Sequence, residues 1–302
     1  MKQSIYDYMK LGTIAFMSYP SIMRGTGDEI LPVIKKLATD PYFTAVEVSW
    51  IKDPAVRKKA ADILMQSGIK VCYGAQPRLL TTGYNINDLN PEKRTVAVNS
   101  LLEGLHEAKE LGASGIAFLS GPYEEETKEQ SYEALICSTK TLCAEAAKLG
   151  MTIELEVFDY DVDKKSLIGP TMYAKKFAEE IRKEYSNFGL LIDLSHFPLI
   201  HESIRDSVLP VRDLITHVHI GNAVATPGAT AYGDAHPRFG FPGSANGMPE
   251  LVEFLRTLLE IGFLQTENPP VLSFEVKPWD EEDPDAVLAG CKRFLNEAWA
   301  MV

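Results

Sequence analysis

Leu149-Gly150-Met151-Thr152-Ile153-Glu154-Leu155-Glu156-Val157 joins the end of an amphipathic helix, over residues 128–149, to a short β-rich run. Glycine is the residue type that ends a helix by adopting a left-handed backbone. The same phrase, helix then glycine then strand, recurs on both sides. Upstream, Asp53-Pro54 opens a helix as N-cap and first residue, Gly68 ends it, and Lys70–Tyr73 reads as a strand. Asn90-Pro91 opens another helix, which Gly112 closes ahead of the strand Gly115–Leu119. Downstream, a helix ending near Tyr185 leads to a strand at residues 189–193. A helix over residues 249–260 stops at Gly262 before Val271–Glu275, and Asp283-Pro284 opens the last one.

Adding β-rich runs at residues 13–17, Ala45–Val48 and 215–220 brings the total to eight strands, each alternating with a helix. Strands joined by helical crossovers are parallel, because each crossover packs its apolar stripe on the sheet. Eight such units in 302 residues, with no break in composition, predict an α/β fold, a (β/α)8 TIM barrel forming a single domain over residues 1–302. A doubly wound sheet fits less well, since Gly25-Thr26-Gly27 lacks the third glycine of a dinucleotide fingerprint. The longest irregular stretch, residues 221–247, is rich in Gly, Ala and Pro, and a loop of that length in a compact domain reads as functional.

The net charge of −12 argues against capture of nucleic acid or an anionic membrane, both of which need clustered Lys and Arg. No run approaches the apolar length of a membrane span. The opening MKQSIYDYMK has no apolar core or cleavage site of a signal peptide, so a cytoplasmic protein is expected. Cys72, Cys137, Cys143 and Cys291 lack CxxC spacing and read as free buried thiols.

Five of the six histidines fall between positions 196 and 236. Glu156, Asp193, His219 and Glu275 stand at the ends of the last four strands, which are neighbours around one rim of a parallel barrel. A carboxylate in an apolar strand is costly to bury unless it is paired or binds a metal. Taken alone, each acid reads as a rim salt bridge or helix cap. Four in register instead predict a shared divalent cation. Three carboxylates and one imidazole suit Mn2+, Mg2+ or Co2+ better than a sulfur-seeking ion, with Zn2+ left open. His196 leans over the same rim, and substrate contact, a second metal or a capping role are all open to it. His217 and Glu154, one layer lower, read as a core histidine and a supporting acid. His106 and His201 read as structural or solvated. Gln76, Arg78 and Lys277 are further candidate substrate contacts.

Ile153-Glu-Leu-Glu156, Ile192-Asp-Leu-Ser-His196, His217-Val-His-Ile-Gly221 and Ser273-Phe-Glu-Val-Lys-Pro278 resemble, in order and spacing, the xylose isomerase-like TIM-barrel superfamily of sugar and sugar-phosphate isomerases and epimerases. The resemblance implies that Glu156, Asp193, His219 and Glu275 are metal ligands and that His196 contacts substrate. In the ketose 3-epimerase branch two metal-bound glutamates also transfer protons on opposite faces of the sugar, which implies that role for Glu156 and Glu275. This chain departs from that branch by carrying Ala225 where an arginine stands six residues after the metal histidine. The loop instead supplies Asp234-Ala235-His236-Pro237-Arg238. Its Asp-x-His resembles the endonuclease IV branch, where that motif holds an additional zinc. The further histidines of that branch are replaced here by Gln76 and Ser120, which argues against a nuclease. Arg238 and His236 become candidate substrate contacts, a loop salt bridge being the other reading for Arg238.

The expected activity is isomerisation or epimerisation of a sugar or sugar-like polyol, by proton transfer between glutamates through a metal-stabilised enediolate. A lyase or dehydratase acting on a keto-sugar, inosose or 3-keto glycoside is the alternative. A non-catalytic ligand-binding barrel is a third reading. Association of barrels into a homo-oligomer is left open.

Overall fold

Helix boundaries fall where the capping residues put them. In the computed structural model, which describes residues 3–302, the Asp53 carboxylate accepts from the backbone N–H of Ala55 and Val56, and Asn90 does the same for Glu92 and Lys93. Gly68 and Gly150 close their helices at φ of 68° and 67°, values that a residue with a Cβ reaches only with strain.

The strands are β1 (Lys10–Thr13), β2 (Ala45–Val48), β3 (Lys70–Tyr73), β4 (Gly115–Leu119), β5 (Thr152–Glu156), β6 (Phe188–Asp193), β7 (Ile215–Gly221) and β8 (Val271–Glu275). One helix follows each in turn: α1 (Ile30–Thr39), α2 (Pro54–Ser67), α3 (Pro91–Glu110), α4 (Lys128–Leu149), α5 (Thr171–Arg182), α6 (Ile204–Val208), α7 (Met248–Glu260) and α8 (Pro284–Met301). Short helical turns decorate the connections. Every strand pairing is parallel, in the order β1-β8-β7-β6-β5-β4, with β2 and β3 as a separate pair.

Bridges between Ile14 and Glu47 and between Gly74 and Ala117 join that pair to the curled six-stranded sheet on either side. Thr44 N–H donates to the Leu11 carbonyl at 2.9 Å and Ala75 N–H to the Ala117 carbonyl at 2.7 Å, so the ring of eight closes. Residues from all the strands and most helices share one buried apolar cluster, as a single domain requires. This is the expected (β/α)8 architecture.

One strand is misplaced in the sequence reading. Residues 13–17 are not the first strand; β1 is Lys10–Thr13, and Ala15–Ser18 forms a helical turn. The cause is the partner. β8 ends at Glu275, and the last ladder bond on this side runs from Ile14 N–H to the Phe274 carbonyl at 3.0 Å. Beyond it, the apolar run Ala15-Phe16-Met17 satisfies its backbone locally, in a helical turn whose Ser18 and Tyr19 N–H groups donate back to the Ile14 and Ala15 carbonyls. The thiols are all free, as expected, but only Cys143 and Cys291 are buried; Cys72 is half-buried and Cys137 is exposed on α4. No helix among the described residues is long and apolar enough to cross a membrane.

Residues 222–247, between β7 and α7, fold back across the barrel mouth. Asn222 Oδ1 accepts from the Asn246 N–H at 2.8 Å, and Val224, Ala231 and Phe241 make a small apolar cluster with Trp279 against it. The loop is therefore packed, and it delivers Asp234 and His236 to the rim.

Candidate metal centre

Parallel register decides which side chains meet. Glu156, Asp193 and Glu275 are the last residues of β5, β6 and β8, and Asp193 lies opposite His219 of β7. Ligand atoms of all four lie within 4.8 Å of one another, and all four residues are buried. At position 221 a Cβ would meet the Glu275 carbonyl at 2.5 Å and His236 Nδ1 at 3.3 Å, so glycine there lets β8 and the loop close in on the group.

Each of two carboxylates is held by one oxygen only. Glu156 Oε2 accepts from Gln76 Nε2 at 2.7 Å, and Asp193 Oδ1 accepts from the Ser195 N–H at 2.7 Å. Their other oxygens, Glu156 Oε1 and Asp193 Oδ2, are buried without a hydrogen-bond partner. Unsatisfied buried carboxylate oxygens cost several kcal/mol (roughly the effective penalty for a buried ion), so two of them in one cluster of hard O and N donors fit a divalent cation.

His219 Nδ1 lies 2.6 Å from Glu275 Oε2 and 3.7 Å from Glu156 Oε1. Its other nitrogen, Nε2, donates to Glu47, 3.0 Å from Oε1. Burial on its own would lower the His219 pKa, but Glu47 and Glu275 beside it hold it well above the usual histidine range. For Glu275, burial dominates; with Glu156 alongside, it pushes the carboxyl up to about 7 despite His236 and His219. The cluster thus binds protons where a cation would compensate it.

Glu47 is the residue the sequence reading missed. Its carboxylate also takes 2.7 Å contact from His217 Nε2, and His217 Nδ1 reaches Glu154 Oε2 at 3.3 Å. Burial would raise the Glu47 pKa, but His217 and His219 hold it well below the carboxylate range. The available signal was a lone acid in the otherwise apolar run Ala45-Val46-Glu47-Val48. His217 is the core histidine expected, and Glu154 supports it rather than Glu156.

On the loop side, His196 donates from Nδ1 to the Val157 carbonyl at 2.8 Å and packs its ring on Phe158, with centroids 4.3 Å apart. His196 Nε2 lies 3.1 Å from Asp234 Oδ1, and His236 Nε2 lies 2.7 Å from the same oxygen. His236 adopts φ of 49°, a left-handed conformation uncommon for a residue with a Cβ. That strained backbone brings its ring within 3.6 Å of Glu275 and 3.7 Å of Asp193.

A cleft of about 180 Å³ opens beside the group, lined by Glu275, His219, His236 and Lys277 together with Phe16, Met17, Met23 and Phe158. Arg238 does not reach it. Its Nε donates to Glu282 at 2.7 Å, the loop salt bridge that is one of its two readings from sequence. Arg78 is likewise buried elsewhere, with Nη2 2.8 Å from Glu107. His106 and His201 are exposed. A larger open groove of about 670 Å³ lies on the outer wall beside Trp50, but its buried acid, Glu107, is already paired with Arg78.

Residues 39–296 match the family described as xylose isomerase-like TIM barrel. No curated protein matches the chain. Among solved structures, a D-tagatose 3-epimerase-like protein is similar at 19% identity and TM-score 0.73, covering 97% of this chain and 98% of that one. D-psicose 3-epimerase from Clostridium cellulolyticum H10 is similar at 16% identity and TM-score 0.69, with 97% and 98% covered. 3-Keto-D-glucoside 4-epimerase from E. coli is similar at 16% identity and TM-score 0.67, with 97% and 99% covered. At these identities the likeness is one of fold.

Proposed function

This chain belongs to the xylose isomerase-like TIM barrel family, and from that premise we propose that it is a divalent-metal-dependent isomerase or epimerase of a sugar or sugar-like polyol. The observation that carries the proposal is the buried meeting of Glu156, Asp193, His219 and Glu275, two of whose carboxylate oxygens have no partner. These four would hold the ion, Mn2+ being the best match to the donor set. When bound, a divalent cation supplies Lewis-acid stabilisation of negative charge developing on a substrate oxygen.

The protein's own groups do the rest. Glu156 and Glu275 come to the group from β5 and β8, with β6 and β7 between them, so a carbon held between the two carboxylates would present one face to each. One carboxylate removes the proton beside the carbonyl and the other, as its acid, returns one. Gln76 fixes Glu156 through a 2.7 Å hydrogen bond, and His219 fixes Glu275 at 2.6 Å. Phe158 and Phe16 line the same cleft and would exclude water from it. His236, which lines the cleft, would bind a substrate oxygen, and His196 stands beside it on Asp234.

A panel of ketoses, inososes and 3-keto glycosides, incubated with Mn2+ in D2O and followed by NMR, tests this reading. The expected result is an isomer of unchanged skeleton carrying deuterium at one carbon. A product lacking a substituent would move the assignment to the lyase reading, which His236 and Asp234 favour by placing a proton donor beside Glu275. No turnover of any member, with no bound metal, would sink both.

Binding of the ion has a proton signature. The proton between His219 and Glu275 must leave if both become ligands. At pH 7 calorimetry in two buffers of different ionisation enthalpy should therefore report release of at least one proton, and affinity should fall about tenfold for each unit of pH lowered. Proton-free binding would exclude this ligand set.

A further inference from the structure

The proposed centre has a neighbour that shares Asp193. Ligand-type atoms of Asp193, His196 and His236 lie within 4.8 Å of one another. Asp234 Oδ1 joins them, 3.1 Å from His196 Nε2 and 2.7 Å from His236 Nε2. By donor chemistry alone, two carboxylates and two imidazoles would take a second divalent ion. A cation of the chain's own already stands there. Lys164 Nζ lies 2.8 Å from Asp234 Oδ2 and 2.9 Å from Asp163 Oδ2, and its side chain is only 22% exposed.

The lysine is aimed by a built turn. The buried Asp159 carboxylate accepts from the backbone N–H groups of Val162, Asp163 and Lys164, at 2.8, 2.6 and 2.8 Å. Asp163 Oδ2 also accepts from the Asp234 N–H at 3.3 Å, which ties this turn to the loop carrying His236. Lys164 reaches the cleft as well.

We infer that Lys164 is a built-in cation that takes the place of a second metal ion and keeps the centre mononuclear. The inference rests on the metal reading of the Glu156–Asp193–His219–Glu275 group. Its physical basis is charge. Imidazoles that ligate a metal are neutral, so in a metal-bearing protein the buried Asp234 would have, among the described residues, no cation beside it but the ammonium, which stands there without vacating the site. A dication entering among Asp193, His196, Asp234 and His236 would face that ammonium across a single carboxylate in a medium that screens poorly. Without the lysine the same carboxylate becomes a free ligand.

The test counts ions by native mass spectrometry and elemental analysis, after saturation of the full chain with Mn2+ or Zn2+ and removal of excess. The expected result is one ion per chain for the wild type and for Lys164→Arg, which keeps the charge. Lys164→Met and Lys164→Gln should hold two. The double variant Lys164→Met with His236→Ala should return to one. Two ions in the wild type, or one in both neutral variants, would overturn the inference while leaving the first centre intact. No ion in any of the proteins would overturn the metal centre and this inference together.

Discussion

Glu275→Gln is expected to lower turnover by about 10²–10⁴-fold, the usual contribution of a positioned general acid or base, with the barrel still folded. Glu156→Gln should do the same. The carboxamide keeps the size and one hydrogen-bond acceptor of the side chain but has no group that can take up and return a proton at neutral pH. Each variant also removes one negative donor, so activity is to be read at saturating Mn2+ with metal content measured alongside. Circular dichroism should be unchanged, because Glu275 and Glu156 sit at strand ends and make no ladder contact through their side chains. Near-normal kcat in both variants, with metal bound, would remove the proton-transfer assignment.

Glu47→Gln carries the second large effect, on metal affinity. His219 uses Nδ1 towards Glu275 and Glu156 and spends Nε2 on Glu47, at 3.0 Å. A carboxylate behind a metal-bound histidine fixes the ring and its tautomer and raises its basicity; loss of such a partner typically weakens metal binding about 10–100-fold. The amide is neutral, and its one acceptor oxygen would have to serve both His219 and His217, which Glu47 serves with charge. Titration with Mn2+ should show weaker binding with stoichiometry unchanged. If melting temperature fell equally with and without metal and affinity stayed put, Glu47 would be a structural anchor and nothing more.

The legibility of this molecule in its sequence divides by the range of the interactions involved. Helix starts at Asp53, Asn90 and Asp283 and stops at Gly68 and Gly150 could be read because capping acts within four residues of chain. The four rim groups could be read because strand ends are local features and consecutive parallel strands are neighbours. The first strand was placed three residues late at its start and four at its end because its ladder partner is β8, some 260 residues away in sequence. For Arg238 the sequence left substrate contact and loop salt bridge both open, because its partner Glu282 lies in the segment after β8, 44 positions away.

By itself, then, the order of residues determined the alternation of helix and strand, the closed eight-fold architecture, and the identity of the acids and the imidazole at the ends of the last four strands. Local propensity, capping and the two-residue strand period suffice for that much. Only the tertiary structure decided that Glu47, three strands further round the ring, stands behind His219, and that the turn after β5 carries Lys164 to Asp234 in the loop after β7. Those pairings link segments 172 and 70 positions apart, and no local rule reaches across such distances. They follow from the closure of the barrel, which brings distant strand ends around one axis and leaves each buried charge to find its partner there.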